Sequence, residues 1–269
     1  MPYPGQSKGN RSASIPAKTL GRLAQRVPRQ LTDFPQVGCR RSACEIHTLL
    51  IASKTRIAWM AVSGQEKMTT ENRFKGRYEA HDTPWDIGAP DFNLILAVTN
   101  TPIKPCKAVD IGCGTGDNAI WLAQQGFDAV GIDTSEVAIA KAEEKASKAK
   151  SNCRFFVGNF LTGHIEGAPF GFIFDRGLFH VFETDEERKK LAENVHRHLG
   201  EAGLWLSLIG NADEQRNTPG PPQRRAGDIV NAVERYFEIL SLVAGHFGAN
   251  RPDPPRAWVC AMRKRQIPG

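Results

Sequence analysis

From residue 109 onward, short apolar runs alternate with longer segments whose charged residues recur at helical spacing. The runs at 109–111, 127–133, 153–160, 172–176, 204–209, 238–246 and 257–263 predict strands. Between them the pattern predicts helices over 117–125, 135–150, 185–199 and 226–237, with an earlier helix over 90–99. The segment 135–150 is rich in Ala, Lys and Glu, and Asp185 stands four residues before Lys189. Strands that alternate with helices imply an α/β fold with a doubly wound, mostly parallel, seven-stranded sheet. No helix separates the last two strands, so they are expected to pair as a C-terminal antiparallel hairpin.

The first apolar run ends in VDIGCGTG, from Val109 to Gly116, and a helix follows at once. Glycine lets a backbone take positive φ or approach a ligand closely. Such a turn also delivers that ligand to the positive end of the next helix. The glycines are Gly112, Gly114 and Gly116, and Asp117 stands where a dinucleotide-binding turn would want another. That difference favours S-adenosylmethionine over NAD. Asp133 closes the second strand at about the distance of one βαβ step, roughly 20 residues on from the turn. Its carboxylate is placed to accept from both ribose hydroxyls, with Thr134 beside it. Capping of the helix that starts near Ser135 is the alternative role.

On these residues the chain resembles the class I S-adenosylmethionine-dependent methyltransferases, over about residues 75–263. Within that superfamily it is most similar to the thiopurine, thiol and halide methyltransferases and their tellurite-resistance relatives. TPWDIG (Thr83 to Gly88), DRG (Asp175 to Gly177) and GPP (Gly220 to Pro222) carry that narrower likeness. The resemblance implies the Rossmann-like methyltransferase fold, S-adenosyl-L-methionine as cofactor and a small-molecule acceptor. It implies a cofactor site built from Trp85, Asp110, Gly112, Gly114, Gly116, Asp133, Thr134, Asn159, Phe160 and Asp175. Asn159 departs from the acid that relatives carry there, although its side-chain carbonyl can still accept from the adenine amino group. Phe160 is either an adenine-packing ring or a core residue.

Two further residues are candidates for the chemistry. Arg176 offers a charged fork to an anionic acceptor, unless Asp175 or a helix end takes it. His180, in GLFHVF, is a candidate general base or a structural histidine. Trp85 is either packed in the core or set against the sulfonium, where a cation–π contact contributes roughly 1–2 kcal/mol. Arg77 and Tyr78 share its lid-like segment. Arg251 and Arg256 stand in the Pro-rich loop between the last two strands.

Charge is placed unevenly. Residues 1–67 hold 11 Lys and Arg against 3 Asp and Glu, and the remainder 24 against 26. The basic pI therefore belongs to the leader, and nucleic acid is not expected as a partner. We expect a leader over 1–67, disordered or an upstream extension before a start at Met60 or Met68, and a methyltransferase domain over 68–269. The stretch 46–62 is broken by Lys54 and Arg56 and is too short to span a bilayer, so no membrane partner is expected. The leader also has the composition of an organelle transit peptide; otherwise the location is cytoplasmic. The six cysteines form no metal-ligand spacing and fit a reducing compartment.

The donor is an activated methyl on a sulfonium, so the protein must chiefly align nucleophile, methyl and leaving sulfur and keep water out. A thiol or chalcogen acceptor needs little base assistance. The expected function is therefore methyl transfer to such a compound. The alternatives are O- or N-methylation of another metabolite, or cofactor binding without catalysis.

Overall fold

The computed structural model describes residues 70–100, 103–216 and 219–266, all within the unit Val62–Gly269. The expected leader over 1–67, with Cys39, Cys44, the stretch 46–62 and the start sites Met60 and Met68, lies outside the described residues. Two helices, α1 (Thr70–Glu79) and α2 (Phe92–Asn100), precede β1 (Lys107–Ile111). Then come α3 (Asp117–Gln124), β2 (Asp128–Asp133), α4 (Glu136–Lys148), β3 (Arg154–Val157) and β4 (Phe170–Arg176). The chain continues through α5 (Leu178–Val181), α6 (Asp185–His198), β5 (Leu199–Gly210), α7 (Ala226–Val233), β6 (Phe237–His246) and β7 (Arg256–Lys264).

The seven strands form one sheet in the order β3-β2-β1-β4-β5-β7-β6. The first five pair in parallel. β7 enters antiparallel between β5 and β6, which gives the expected terminal hairpin. Val109 of β1 lies between Val130 of β2 and Ile173 of β4. A strand covered on both faces reads as a continuous apolar run, which is why Phe172, Ile173 and Phe174 of β4 show no alternation.

Successive residues of β4 point to opposite faces and help build two cores. Phe172 and Phe174 pack with Leu94 of α2, Leu122 of α3 and Ile139 of α4. Ile173 packs with Leu191 and Val195 of α6, Ile229 of α7 and Trp205 of β5. Local signals agree with these placements. Ser135 caps α4 by accepting from the Ala138 amide, and Thr184 with Glu187 forms a capping box at α6.

Several boundaries differ from the pattern. β5 starts at Leu199, because Leu199 already pairs with Phe170 before the irregularity at Phe170/Phe172. α7 stops at Val233, since Phe237 is fully buried as the first residue of β6. α1 carries too few apolar positions, and the single turn of α5 is too short, to be read locally. Among the described residues, no helix is long and apolar enough to cross a membrane. Strand order reverses at β1, with β2 on one side and β4 on the other, so a crevice opens beyond their carboxyl ends.

Candidate active site

A cavity of about 940 Å³ fills that crevice. Its floor is the glycine turn between β1 and α3. Gly112, Gly114 and Gly116 have φ of 71°, 55° and 85°, a region that favours glycine. The amides of Gly112 and Cys113 donate to the Ile132 carbonyl, and the Gly114 amide donates to Asp133 Oδ2 at 2.9 Å. Asp133 Oδ1 accepts from the Ser135 amide. One carboxylate thus ties the turn to the start of α4, while Asp133 and Thr134 both face the cavity. Burial raises the Asp133 pKa, opposed by these amide donors.

The three glycines serve different ends. Gly112 and Gly114 line the cavity; Gly116 does not. A Cβ on Gly116 would come within 2.8 Å of Ala142 and closer still to the Phe155 ring, so this glycine lets α3 approach α4 and β3. Asp110 also stays off the cavity wall. It is fully buried in β1, and its two carboxylate oxygens have no partner among the described residues. Burial first, then the charges of Asp175 and Asp133, push its pKa well up.

The roof is α1 with the segment that follows it. Trp85 Nε1 donates to Tyr78 Oη at 3.1 Å, and Tyr78 Oη sits where a Cβ on Gly114 would fall at 2.7 Å. Trp85 packs edge-on against Phe74 and Tyr78. The Arg77 guanidinium lies 4.4 Å over the Trp85 ring and pairs with Asp82. A second tie comes from Lys145 of α4, whose Nζ donates to Thr115 Oγ1 at 2.6 Å and Asp117 Oδ2 at 2.7 Å. Thr115 in turn donates to Asp86 Oδ2 at 2.9 Å. The glycine turn and the roof therefore share one charged junction.

The strand tips on the other side hold three of the expected residues in contacts the sequence did not indicate. Arg176 is not an open fork. Its Nε donates to Asp91 Oδ2 at 2.8 Å, Nη1 to the Trp85 carbonyl at 3.0 Å and Nη2 to the Gly248 carbonyl at 2.6 Å. Its partner is Asp91, neither Asp175 nor a helix end. Asp175 is fully buried off the cavity wall, accepting from the Phe179 amide and Trp205 Nε1. Burial pushes its carboxyl up to about 6. His180 Nδ1 accepts from the Gly210 amide at 2.9 Å. A neutral ring in this tautomer carries its proton on Nε2, and His180 lines the cavity.

Asn159 and Phe160 follow β3 and line the cavity. Asn159 Oδ1 already accepts from the Leu161 amide at 2.8 Å, so an adenine amino group would share it. Phe160 is 5 % exposed and packs 5.3 Å from the His198 ring, which makes it mainly a core residue. Beyond them the wall is Val181, Phe182, Pro219, Pro221, Pro222 and Phe247. Arg251 reaches the cavity rim, whereas Arg256 is held by Glu214 and the Asp213 carbonyl.

A family model described as a methyltransferase domain matches residues 108–203, from β1 into β5. An uncharacterized methyltransferase of Schizosaccharomyces pombe is 32 % identical over 41 % of this chain and 76 % of its own length. This chain belongs to the class I S-adenosylmethionine-dependent methyltransferases. A probable thiol methyltransferase 2 of Arabidopsis thaliana is 29 % identical to the methyltransferase over 66 % of this chain and 80 % of that protein. The magnesium protoporphyrin IX methyltransferase of Synechocystis PCC 6803, solved with S-adenosylmethionine bound, shares the fold. Its TM-score is 0.57 at 13 % identity, covering 75 % of this chain and 100 % of that one.

The residues of the methyltransferase fit its cofactor. Gly112 and Gly114 bring bare backbone to the cavity, the first residues of α3 line it, and Asp133 stands at the tip of β2. Sequence reasoning did not single out Asp91, Asp86, Thr115 or Lys145. Asp91 carried one legible signal, an acid just before an apolar helix. Lys145 had none, because it is one of several lysines on a charged helix.

Proposed function

We propose that the methyltransferase transfers a methyl group to a small thiol or chalcogen compound. When bound, S-adenosylmethionine supplies a methyl already activated on a sulfonium. The observation that carries the reading is the tautomer of His180. With Nδ1 occupied by the Gly210 amide, this ring donates at Nε2 and cannot accept a proton there. The cavity carboxylates are also engaged, Asp86 and Asp117 around Lys145 and Glu187 in its capping box. An acceptor that ionises near neutrality or reacts through a soft, polarisable atom needs no base. Alcohols and most amines do need one.

The likeness to the probable thiol methyltransferase 2 of Arabidopsis thaliana supports the same class. The test is formation of S-adenosylhomocysteine with aliphatic and aromatic thiols, thiopurines, selenite, tellurite and iodide beside phenols and amines. Turnover centred on sulfur and chalcogens is expected. Turnover confined to phenols or amines would overturn the acceptor class and leave the fold and cofactor untouched.

A further inference from the structure

We propose that the cavity selects an acceptor whose only ionisable group is the reacting one, with no carboxylate, phosphate or oxyanion. Asp91, buried behind the wall, sets this selectivity by cancelling the charge of Arg176. The proposal rests on the small-acceptor reading above. It narrows that reading to organic acceptors with an apolar body.

The far wall of the cavity is made of Val181, Phe182, Pro222 and Phe247, which offer contact area and no charge. Arg176 is the cation at the strand tips, and its side chain is 13 % exposed. All three guanidinium nitrogens already donate, to Asp91, the Trp85 carbonyl and the Gly248 carbonyl. Asp91 is wholly buried and is not part of the cavity lining. Its Oδ2 also accepts from the Gly248 amide, and its Oδ1 from the backbone and side chain of Asn93. The pair is therefore neutral, with every guanidinium nitrogen and both carboxylate oxygens engaged.

The other charges on the wall are also engaged, Asp133 by the Gly114 and Ser135 amides. Arg77 pairs with Asp82 and covers Trp85, Asp86 and Asp117 surround Lys145, and Glu187 closes its capping box. Arg251 sits at the rim in an exposed loop, where water screens it. An acceptor anion carried inward would lose its hydration without gaining a free cation or donor fork, which is costly. An apolar body gains by the same burial.

The test uses pairs that differ by one carboxylate, thiophenol with 4-mercaptobenzoate and phenol with 4-hydroxybenzoate, with the neutral methyl ester of each acid as the control for size. For the wild-type methyltransferase we expect kcat/KM at least about tenfold higher for thiophenol than for 4-mercaptobenzoate. Titration of both thiols into protein saturated with S-adenosylhomocysteine reads the same preference as binding. Equal or tighter binding of the carboxylate, or binding of neither, overturns the proposal. Asp91→Asn leaves Arg176 charged and without its counter-ion, so the carboxylate-to-neutral ratio should rise about tenfold. An unchanged ratio in a folded Asp91→Asn protein overturns the role of Asp91. Turnover of phenol in place of thiophenol would refute the thiol reading alone, because the phenol pair still reports the charge preference.

Discussion

Asp91 and Arg176 stand 85 positions apart in the chain, yet their side chains meet at 2.8 Å beside the cavity. Asp91 precedes α2 in the roof and Arg176 ends β4 in the centre of the sheet. Through the Trp85 and Gly248 carbonyls the same guanidinium holds the lid segment and the loop after β6. The Asp91 amide donates to Asn118 Oδ1 at 2.8 Å, which adds α3 to the junction. Four elements of the active site are thus set by one ion pair.

Removing either partner should be costly, because the other charge stays behind in a buried place. Asp91→Ala is expected to lower the unfolding free energy by about 3–5 kcal/mol. The double variant Asp91→Ala/Arg176→Met should recover part of that loss, since no buried charge remains. Urea denaturation of the three proteins checks both. A double variant no more stable than Asp91→Ala would show that geometry, not charge, dominates there.

Gly114 answers to two constraints at once. Its φ is +55°, and an added Cβ would meet Tyr78 Oη at 2.7 Å. Gly114→Ala is expected to weaken S-adenosylhomocysteine binding by more than about tenfold, as the turn shifts to relieve both. Adding Tyr78→Phe removes the hydroxyl and should restore part of the affinity, leaving only the backbone strain. Calorimetric titration of the single and double variants separates the two terms.

Lys145 links Thr115 and Asp117 to the roof through Asp86. It is one-third exposed, so its ion pairs add no more than about 1 kcal/mol to stability. Its effect should appear in the cofactor site instead. Lys145→Met is expected to raise KM for S-adenosylmethionine about tenfold, the equivalent of one charge-assisted hydrogen bond. Thermal stability should change little, and Lys145→Arg should restore much of the affinity. A large loss of stability with KM unchanged would assign Lys145 to the scaffold.

Asp175 makes a pH prediction. Its folded pKa of about 6 lies above the ordinary carboxylate value of 3.8, because burial disfavours the charged form. The folded protein therefore holds more proton than the unfolded chain between these values. Stability is fully present below about pH 3.8 and falls as pH rises toward 6. The shift corresponds to a loss on the order of 3 kcal/mol from this group. Asp175→Asn should flatten the stability profile between pH 4 and pH 7, whatever its absolute stability. Chemical denaturation across that range would refute the assignment if the two slopes match.

Much of the sheet was legible in the chain. Strands covered on both faces show as apolar runs in any context, so β1, β2 and β4 were found within a few residues. Helices α4 and α6 announce themselves through Ser135 and through the spacing of Asp185 and Lys189. α1 was not legible, because it carries few apolar positions and its contact with the glycine turn lies outside any local window. The roof residues show the same limit more sharply, since nothing near Lys145 in sequence says which of several lysines will turn inward.

The sequence by itself determined the seven strands and most of the helices, the glycine turn, the acid at the tip of the second strand and hence the cofactor. These depend on periodicity, on φ and on spacing within one βαβ unit, all of which are local. Tertiary structure alone decided what Arg176 and His180 touch. A guanidinium is a free fork or a spent one according to whether Asp91, Trp85 and Gly248 meet it. An imidazole is a base or a donor according to whether the Gly210 amide reaches Nδ1. Both outcomes turn on contacts made across the sheet between residues far apart in the chain, and a hydrogen bond of that kind leaves no trace in local pattern.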